Sequence, residues 1–162
     1  TGSTMVEGWG MSETCAMGTN NPVNSARFSG NIGLPLPGIR IAIKDDEGQS
    51  LPLGESGEIC IAGPNVMTGY YNQPEETAKA FTADGFMRTG DIGVMDEQGF
   101  TRIVDRKKDM ILVSGFNVFP TELENVISSC PGVLECAAIG LPDERQGEVI
   151  KVFVVRSDPT LT

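Results

Sequence analysis

Between Ile39 and Val104 the sequence is cut every few residues by glycine- and acid-rich turns, and the apolar runs between them alternate with period two. Ile39, Ile41 and Ile43 alternate with Arg40, Ala42 and Lys44. Asp45-Asp46-Glu47-Gly48 ends that run, and Gly57-Glu58-Ile59-Cys60-Ile61 resumes a strand. Val94-Met95 and Phe100-Thr101-Arg102-Ile103-Val104 flank Asp96-Glu97-Gln98-Gly99, a hairpin signal. Successive side chains of such runs point to opposite faces, so this stretch reads as a strand-rich antiparallel sheet or open barrel.

The flanking segments read differently. Thr1 to Cys15 is rich in Gly, Met, Ser and Thr and reads as loop, and Asn20 to Gly30 continues as polar loop with a turn at Asn21-Pro22. One helix interrupts the sheet at Pro74 to Phe81, with proline in its first turn and Glu75 and Glu76 near its positive end. A charged stretch, Asp105 to Asp109, marks a boundary. Beyond it Thr121 reads as N-cap and Glu124 as the matching acid of a capping box. Leu123, Val126, Ile127 and Cys130 follow helical spacing until Pro131-Gly132, and strand-like runs follow at 136–140 and 149–156. The expected fold class is therefore α+β: residues 1–29 mostly irregular, a strand-rich unit from about 30 to 105, then a small, incomplete α+β module over 109–162.

Composition narrows the chemistry. Twelve Lys+Arg stand against 22 Asp+Glu in 162 residues, a net charge of −10. That balance argues against a nucleic-acid binder, which needs clustered cations, although Arg106-Lys107-Lys108 is one local basic cluster. There is no histidine, so no Ser-His-Asp or Cys-His nucleophile and no His-ligated zinc can be built from this chain alone. Cys15, Cys60, Cys130 and Cys136 show no CxxC spacing and have apolar neighbours, which reads as small buried hydrophobes in a reducing compartment. No apolar run approaches the roughly 20 residues of a membrane span. These features point to a cytoplasmic protein.

Three segments carry chemistry. They are Gly8-Trp9-Gly10-Met11-Ser12-Glu13-Thr14; Thr89-Gly90-Asp91, introduced by Asp84-Gly85-Phe86-Met87-Arg88; and Asp105-Arg106-Lys107-Lys108-Asp109 with Ser114-Gly115-Phe116-Asn117-Val118-Phe119-Pro120-Thr121-Glu122. Taken singly, Trp9 reads as a core aromatic, Asp91 as a turn acid and the basic cluster as a solvated face. Together and in this order they resemble the adenylate-forming superfamily of acyl-CoA synthetases, nonribosomal adenylation domains and luciferases. The wording from Asp105 to Val118 is especially similar to bacterial long-chain-fatty-acid–CoA ligases.

That resemblance implies an enzyme that makes an acyl-adenylate from a fatty acid and ATP, then passes the acyl group to coenzyme A. It implies that Trp9 stacks on adenine with Gly10 beside it, that Ser12 donates to the α-phosphate, and that Glu13 is the catalytic carboxylate holding Mg²⁺. Asp91 would accept from the ribose hydroxyls, and Arg106 would reach the ribose or phosphate. Lys108 would be the catalytic hinge position, and Gly115 would let the backbone approach the pantetheine arm. The domains implied are the end of a large N-terminal domain over 1–105, a hinge at 106–108, and the start of a C-terminal lid over 109–162. The Ser/Thr/Gly-rich phosphate loop and the late lysine of the family have no counterpart here, so the expectation is a fragment that is inactive alone. Open alternatives are a medium-chain or aryl-acid ligase, a carrier-loading adenylation domain, and a non-catalytic binding or assembly module. The resemblance implies small-molecule substrates and no nucleic acid, and leaves room for self-association and for peripheral contact with the inner membrane.

Overall fold

The computed structural model describes residues 2–25 and 29–157. The loop expectation for residues 26–28 lies outside the described residues, as do the last five positions of the 109–162 module. The chain divides into two compact units, Thr1–Ile103 and Val104–Thr162.

In the first unit, β1 (Gly8–Trp9), β2 (Thr19–Asn20) and β3 (Leu34–Pro35) form a small antiparallel sheet in that order. The opening segment is thus less irregular than its composition suggests. A second antiparallel sheet holds β4 (Arg40–Lys44), β5 (Ser56–Ala62), β6 (Met87–Met95) and β7 (Thr101–Arg106) in sequence order, with the division of the chain falling inside β7 after Ile103. Helix α1 (Pro74–Ala80) lies between β5 and β6, and the hairpin turn between β6 and β7 falls at Asp96 to Gly99 as expected. Both sheets are open, and no barrel closes among the described residues.

Ile43, Ile59, Ile61 and Met87 are buried on one face of this sheet, and Cys60 and Ala62 are buried with Phe86 on the other. The period-two pattern puts Lys44 on the same face as Arg40, pointing away from the isoleucines, yet its side chain is only 1% exposed. Its Nζ donates to the Gly48 carbonyl and to Asp84 Oδ2, both at 2.9 Å, and sits 4.9 Å from the Phe86 ring centroid. The turn after β4 and the loop before β6 fold over the lysine stem, which an alternation rule that sees one strand at a time does not register.

In the second unit, β8 (Ile111–Val113), β9 (Phe116–Val118), β10 (Val133–Asp143) and β11 (Gly147–Arg156) form a sheet of order β10-β11-β8-β9, and α2 (Pro120–Ser128) packs on β10. The capping box at Thr121 and Glu124 is not formed. Phe119 occupies the N-cap without a side-chain bond and Pro120 opens the helix. The free helical N–H of Thr121 donates instead to Asp105 Oδ2 at 2.9 Å, and Glu124 Oε1 accepts from the Ala138 backbone N–H on β10 at 2.8 Å. A carboxylate sixteen residues upstream therefore takes the cap role that local spacing assigned to Thr121. Val126, placed on the apolar face by spacing, is 67% exposed.

All four cysteines are free thiols, but only Cys60 is the buried hydrophobe expected; Cys15 and Cys130 are exposed and Cys136 is half-buried. No helix among the described residues is long and apolar enough to cross a membrane.

Candidate functional site

The first motif begins in β1 and closes through a 3₁₀ turn at Ser12–Thr14. The turn is laced locally: the Met11 N–H donates to Thr14 Oγ1 at 3.1 Å, and that hydroxyl donates back to the Met11 carbonyl at 3.0 Å. Cys15 and Ala16 then adopt positive φ of 52° and 95°, turning the chain back on itself. At Gly10 a β-carbon would overlap the Ala16 carbonyl, so this crossing admits only glycine. The resulting loop leaves Ser12 exposed and Glu13 half-buried.

A second segment clamps this loop from 50 residues downstream. Asn65 Nδ2 donates to the carbonyls of Thr14 and Met17, both at 2.9 Å, and the Met67 N–H donates to the Glu13 carbonyl at 2.8 Å. The Tyr70 hydroxyl donates to Glu13 Oε1 at 3.1 Å. Burial, and after it the hydrogen bond and charge of Glu13, push the Tyr70 phenol above its usual pKa. Tyr70 is in turn fixed by α1, because its backbone N–H donates to Thr77 Oγ1 at 2.9 Å.

The Thr89-Gly90-Asp91 motif sits in an irregularity of β6. Glu58 pairs with Ile92 and Cys60 pairs with Arg88, so Ile59 alone faces the three residues Thr89, Gly90 and Asp91. Two surplus residues bow the strand outward there. Gly90, at φ 75°, supplies the left-handed step. The Thr89 hydroxyl donates to the Ile59 carbonyl at 2.7 Å and accepts from the Asp91 N–H at 3.1 Å.

The bulge delivers Asp91 to the first motif. The Trp9 indole Nε1–H donates to Asp91 Oδ2 at 2.9 Å, joining residues 82 positions apart. Asp91 is 6% exposed, so this charge-assisted bond to a buried carboxylate is worth about 1.5–3 kcal/mol. Trp9 is half-buried, and Gly18 packs so closely on its ring that a β-carbon there would lie 3.0 Å from Cζ3. An N–H bond lies in the plane of the indole, so it leaves the stacking geometry of the ring independent of its grip on Asp91.

Arg106, Lys108 and Gly115 belong to the second unit. Arg106 ends β7, and its backbone N–H donates to Asp105 Oδ1 at 2.7 Å. Lys108 lies in a 3₁₀ turn at Lys107–Asp109 and lines an open cavity of about 510 Å³ with Asp109, Glu124 and Glu148. Ser114 and Gly115, at φ 51° and 86°, form the two-residue turn between β8 and β9. No atom lies within 4 Å of a β-carbon built at Gly115, so the turn geometry alone calls for glycine there. Of the residues singled out from sequence, the fold brings Trp9 and Asp91 into contact and sets Ser12 and Glu13 in one turn. Sequence reasoning missed Tyr70, Asn65 and Glu58; the signal for Glu58 was an acid inside an otherwise apolar strand.

Comparison with known proteins identifies the family to which the chain is similar. The model of the AMP-binding enzyme family matches residues 1–71, and that of the AMP-binding enzyme C-terminal domain matches residues 122–162. The chain is 49% identical over all 162 residues to a long-chain-fatty-acid–CoA ligase of Escherichia coli O6:H1, of which it spans 29%. Among solved structures, ATP-bound MatB from Rhodopseudomonas palustris superposes with a TM-score of 0.89 at 44% identity, covering the whole chain and 32% of that protein. The o-succinylbenzoate CoA synthetase of Bacillus subtilis in complex with its acyl-adenylate intermediate superposes with a TM-score of 0.83 at 35% identity, covering 96% of the chain and 32% of that protein. The chain thus spans about a third or less of the length of the relatives it matches.

Proposed function

The chain belongs to the AMP-binding enzyme family, and from that premise we propose that it supplies nucleotide-contacting groups to an ATP-dependent fatty acid–CoA ligase. The observation that carries this reading is the bond between Trp9 and Asp91. It sets a carboxylate, suited to accept from two adjacent ribose hydroxyls, at the edge of an aromatic ring suited to stack on a base. Ser12, exposed at the start of its 3₁₀ turn, is the hydroxyl donor for the α-phosphate.

Glu13 is the carboxylate for Mg²⁺. The donor set fits the ion: Mg²⁺ takes one or two carboxylates and fills its octahedron with phosphate oxygens and water. Glu13, a half-buried carboxylate whose Oε1 is held by the Tyr70 hydroxyl, supplies one such ligand. When bound, the ion neutralises phosphate charge; Glu13 itself is oriented by Tyr70 through the 3.1 Å hydrogen bond.

In the reaction, a fatty-acid carboxylate oxygen bonds to the α-phosphorus and pyrophosphate leaves, giving an acyl-adenylate. The thiolate of coenzyme A then attacks the acyl carbonyl and AMP leaves. Asp91 holds the sugar through both steps, and Arg106 adds a cationic fork toward the sugar or phosphate. We place the hinge between the two half-reactions at 106–108, close to the division of the chain after Ile103, and the pantetheine approach beside Gly115. On this reading the work is done in the cytoplasm, with contact at the inner membrane bringing the acid to it.

The test is a hybrid ligase in which residues 1–162 replace the matching segment of the Escherichia coli relative. The hybrid is expected to form palmitoyl-CoA from palmitate, ATP and coenzyme A, and Asp91→Asn to lower kcat/KM about 100-fold, or about 3 kcal/mol. A folded hybrid that makes no acyl-CoA from acids of six to eighteen carbons defeats the proposal.

A further inference from the structure

The bowed stretch of β6 is held from below by one buried side chain. Glu58, on β5, is 5% exposed, and its two carboxylate oxygens reach two different parts of the bulge. Oε2 accepts from Arg88 Nη1 at 2.9 Å, and Oε1 accepts from the Gly90 backbone N–H at 3.1 Å. Arg88 and Gly90 bracket Thr89, and Gly90 immediately precedes Asp91. Arg88 is anchored on its far side, where Nη2 donates to the Asp46 carbonyl at 2.9 Å. Burial acts to lower the Arg88 pKa, but the hydrogen bond and charge of Glu58 outweigh it, and the net displacement is upward.

A strand carrying two surplus residues has no ladder partner for the middle of its excursion, so its shape has to be fixed by side chains. Here there are two such pegs. The Thr89 hydroxyl ties the bulge to the Ile59 carbonyl, and Glu58 ties its entrance and its apex. Remove the Glu58 carboxylate and the Gly90 N–H loses its acceptor while Arg88 loses its counter-charge. The residue that follows, Asp91, then loses the backbone frame that aims it at Trp9.

We infer that Glu58 is a positioning residue for Asp91: its carboxylate clamps Arg88 and Gly90 so that the bulge presents the Asp91 carboxylate for nucleotide sugar recognition. The inference rests on the reading of Asp91 as the ribose acceptor, but its structural half can be tested without any nucleotide. Trp9 is the single tryptophan of the chain, so one indole N–H signal in a nitrogen-15 spectrum reports the Asp91 contact.

The experiment compares Glu58→Gln and Asp91→Asn with the native chain. Asp91→Asn, which replaces the charged acceptor, is expected to displace the indole signal and speed its hydrogen exchange. Glu58→Gln is expected to displace it in the same direction by about half as much or more, with exchange about threefold faster, as loss of a bond of this class implies. It is also expected to weaken binding of AMP more than that of 2′,3′-dideoxy-AMP, so that the preference for the natural sugar falls about threefold. A peg that served stability alone would lower Tm and leave both the indole signal and the sugar preference in place. An unmoved indole signal in folded Glu58→Gln overturns the inference. If that variant does not fold, Glu58→Asp serves, since it keeps the charge near Arg88 but is one methylene too short to reach Gly90 as well; an unmoved signal there overturns the inference equally. If Asp91→Asn leaves the preference for AMP over its dideoxy analogue unchanged while Glu58→Gln still moves the indole signal, the nucleotide reading fails and the clamp on Asp91 stands.

Discussion

The phenolic hydroxyl of Tyr70 donates to Glu13 Oε1 across 3.1 Å, and this bond ties the loop before α1 to the acidic turn of the first motif. Burial and Glu13 together hold the phenol in its neutral form, above the usual value of 10.0. Glu13→Gln removes the charge, so Tyr70 is expected to ionise closer to its usual pH, with the part due to burial remaining. Absorbance titration of the two proteins reads this directly. Since the folded-state pKa is raised, the stabilisation is fully present below about pH 10 and disappears as pH climbs through the folded value. A Tyr70 titration identical in the two proteins would show that Glu13 does not face it.

Under the proposed function, the bond between Trp9 and Asp91 joins the ring that would stack on the base to the carboxylate that would hold the sugar. Trp9→Phe keeps an aromatic face and deletes the donor, so AMP affinity is expected to fall about tenfold, or 1.4 kcal/mol, by calorimetry. Trp9→Leu, which loses both functions, is expected to fall further. Equal affinity for native and Trp9→Phe chains would detach the indole donor from binding.

Acid is expected to loosen the first unit at Asp84. The hydroxyl of Thr82 and then the ammonium of Lys44 hold this carboxylate below its usual 3.8. A depressed acid contributes stability above its unfolded-state pKa and loses it as pH falls through the folded value, so the loss here begins below about pH 4. Urea unfolding between pH 5 and 2.5 should show a shallower acid dependence in Asp84→Asn than in the native chain. Parallel curves would remove Asp84 from the account.

The cap of α2 is a long-range one, and two substitutions tell it from the local alternative. Asp105→Asn is expected to destabilise the second unit by about 1–2 kcal/mol, because the Thr121 N–H loses its charged acceptor. Thr121→Ala is expected to change stability by less than about 0.5 kcal/mol, since its side chain makes no cap bond. Thermal unfolding of the two variants decides between them, and the reverse order of effects would restore Thr121 as the cap.

Much of the scaffold is legible in local pattern. The turns at Asp45 to Gly48 and Asp96 to Gly99 and the helix after Gln73 follow from turn chemistry and capping preferences that act over a few residues, whereas α2 ends at Ser128, ahead of the stop signal at Pro131-Gly132. What the sequence hides is set by partners far along the chain. Lys44 is buried because Asp84, forty residues later, meets it; Thr121 is capped by Asp105; and Glu58, the lone acid of β5, has no visible partner until β6 is laid beside it. Asp91 is visible only through its motif, since nothing local distinguishes a turn acid from one that a bulge lifts onto an indole.

The surplus in β6 is an even number of residues, and parity makes it harmless to everything downstream. Ile92 stands opposite Glu58 where residue 90 would stand in an uninterrupted ladder, and both have the same sidedness, so Gly93 and Val94 still pair with Gly57 and Ser56. Losing one residue from the excursion would turn the rest of the strand inside out. Losing two would keep the register of the ladder while removing the acid-bearing excursion and the bonds it makes to Trp9, Ile59 and Glu58. The register of the sheet and the excursion it carries are therefore separable: a six-nucleotide deletion could remove the acid-bearing residues without turning the rest of the strand over.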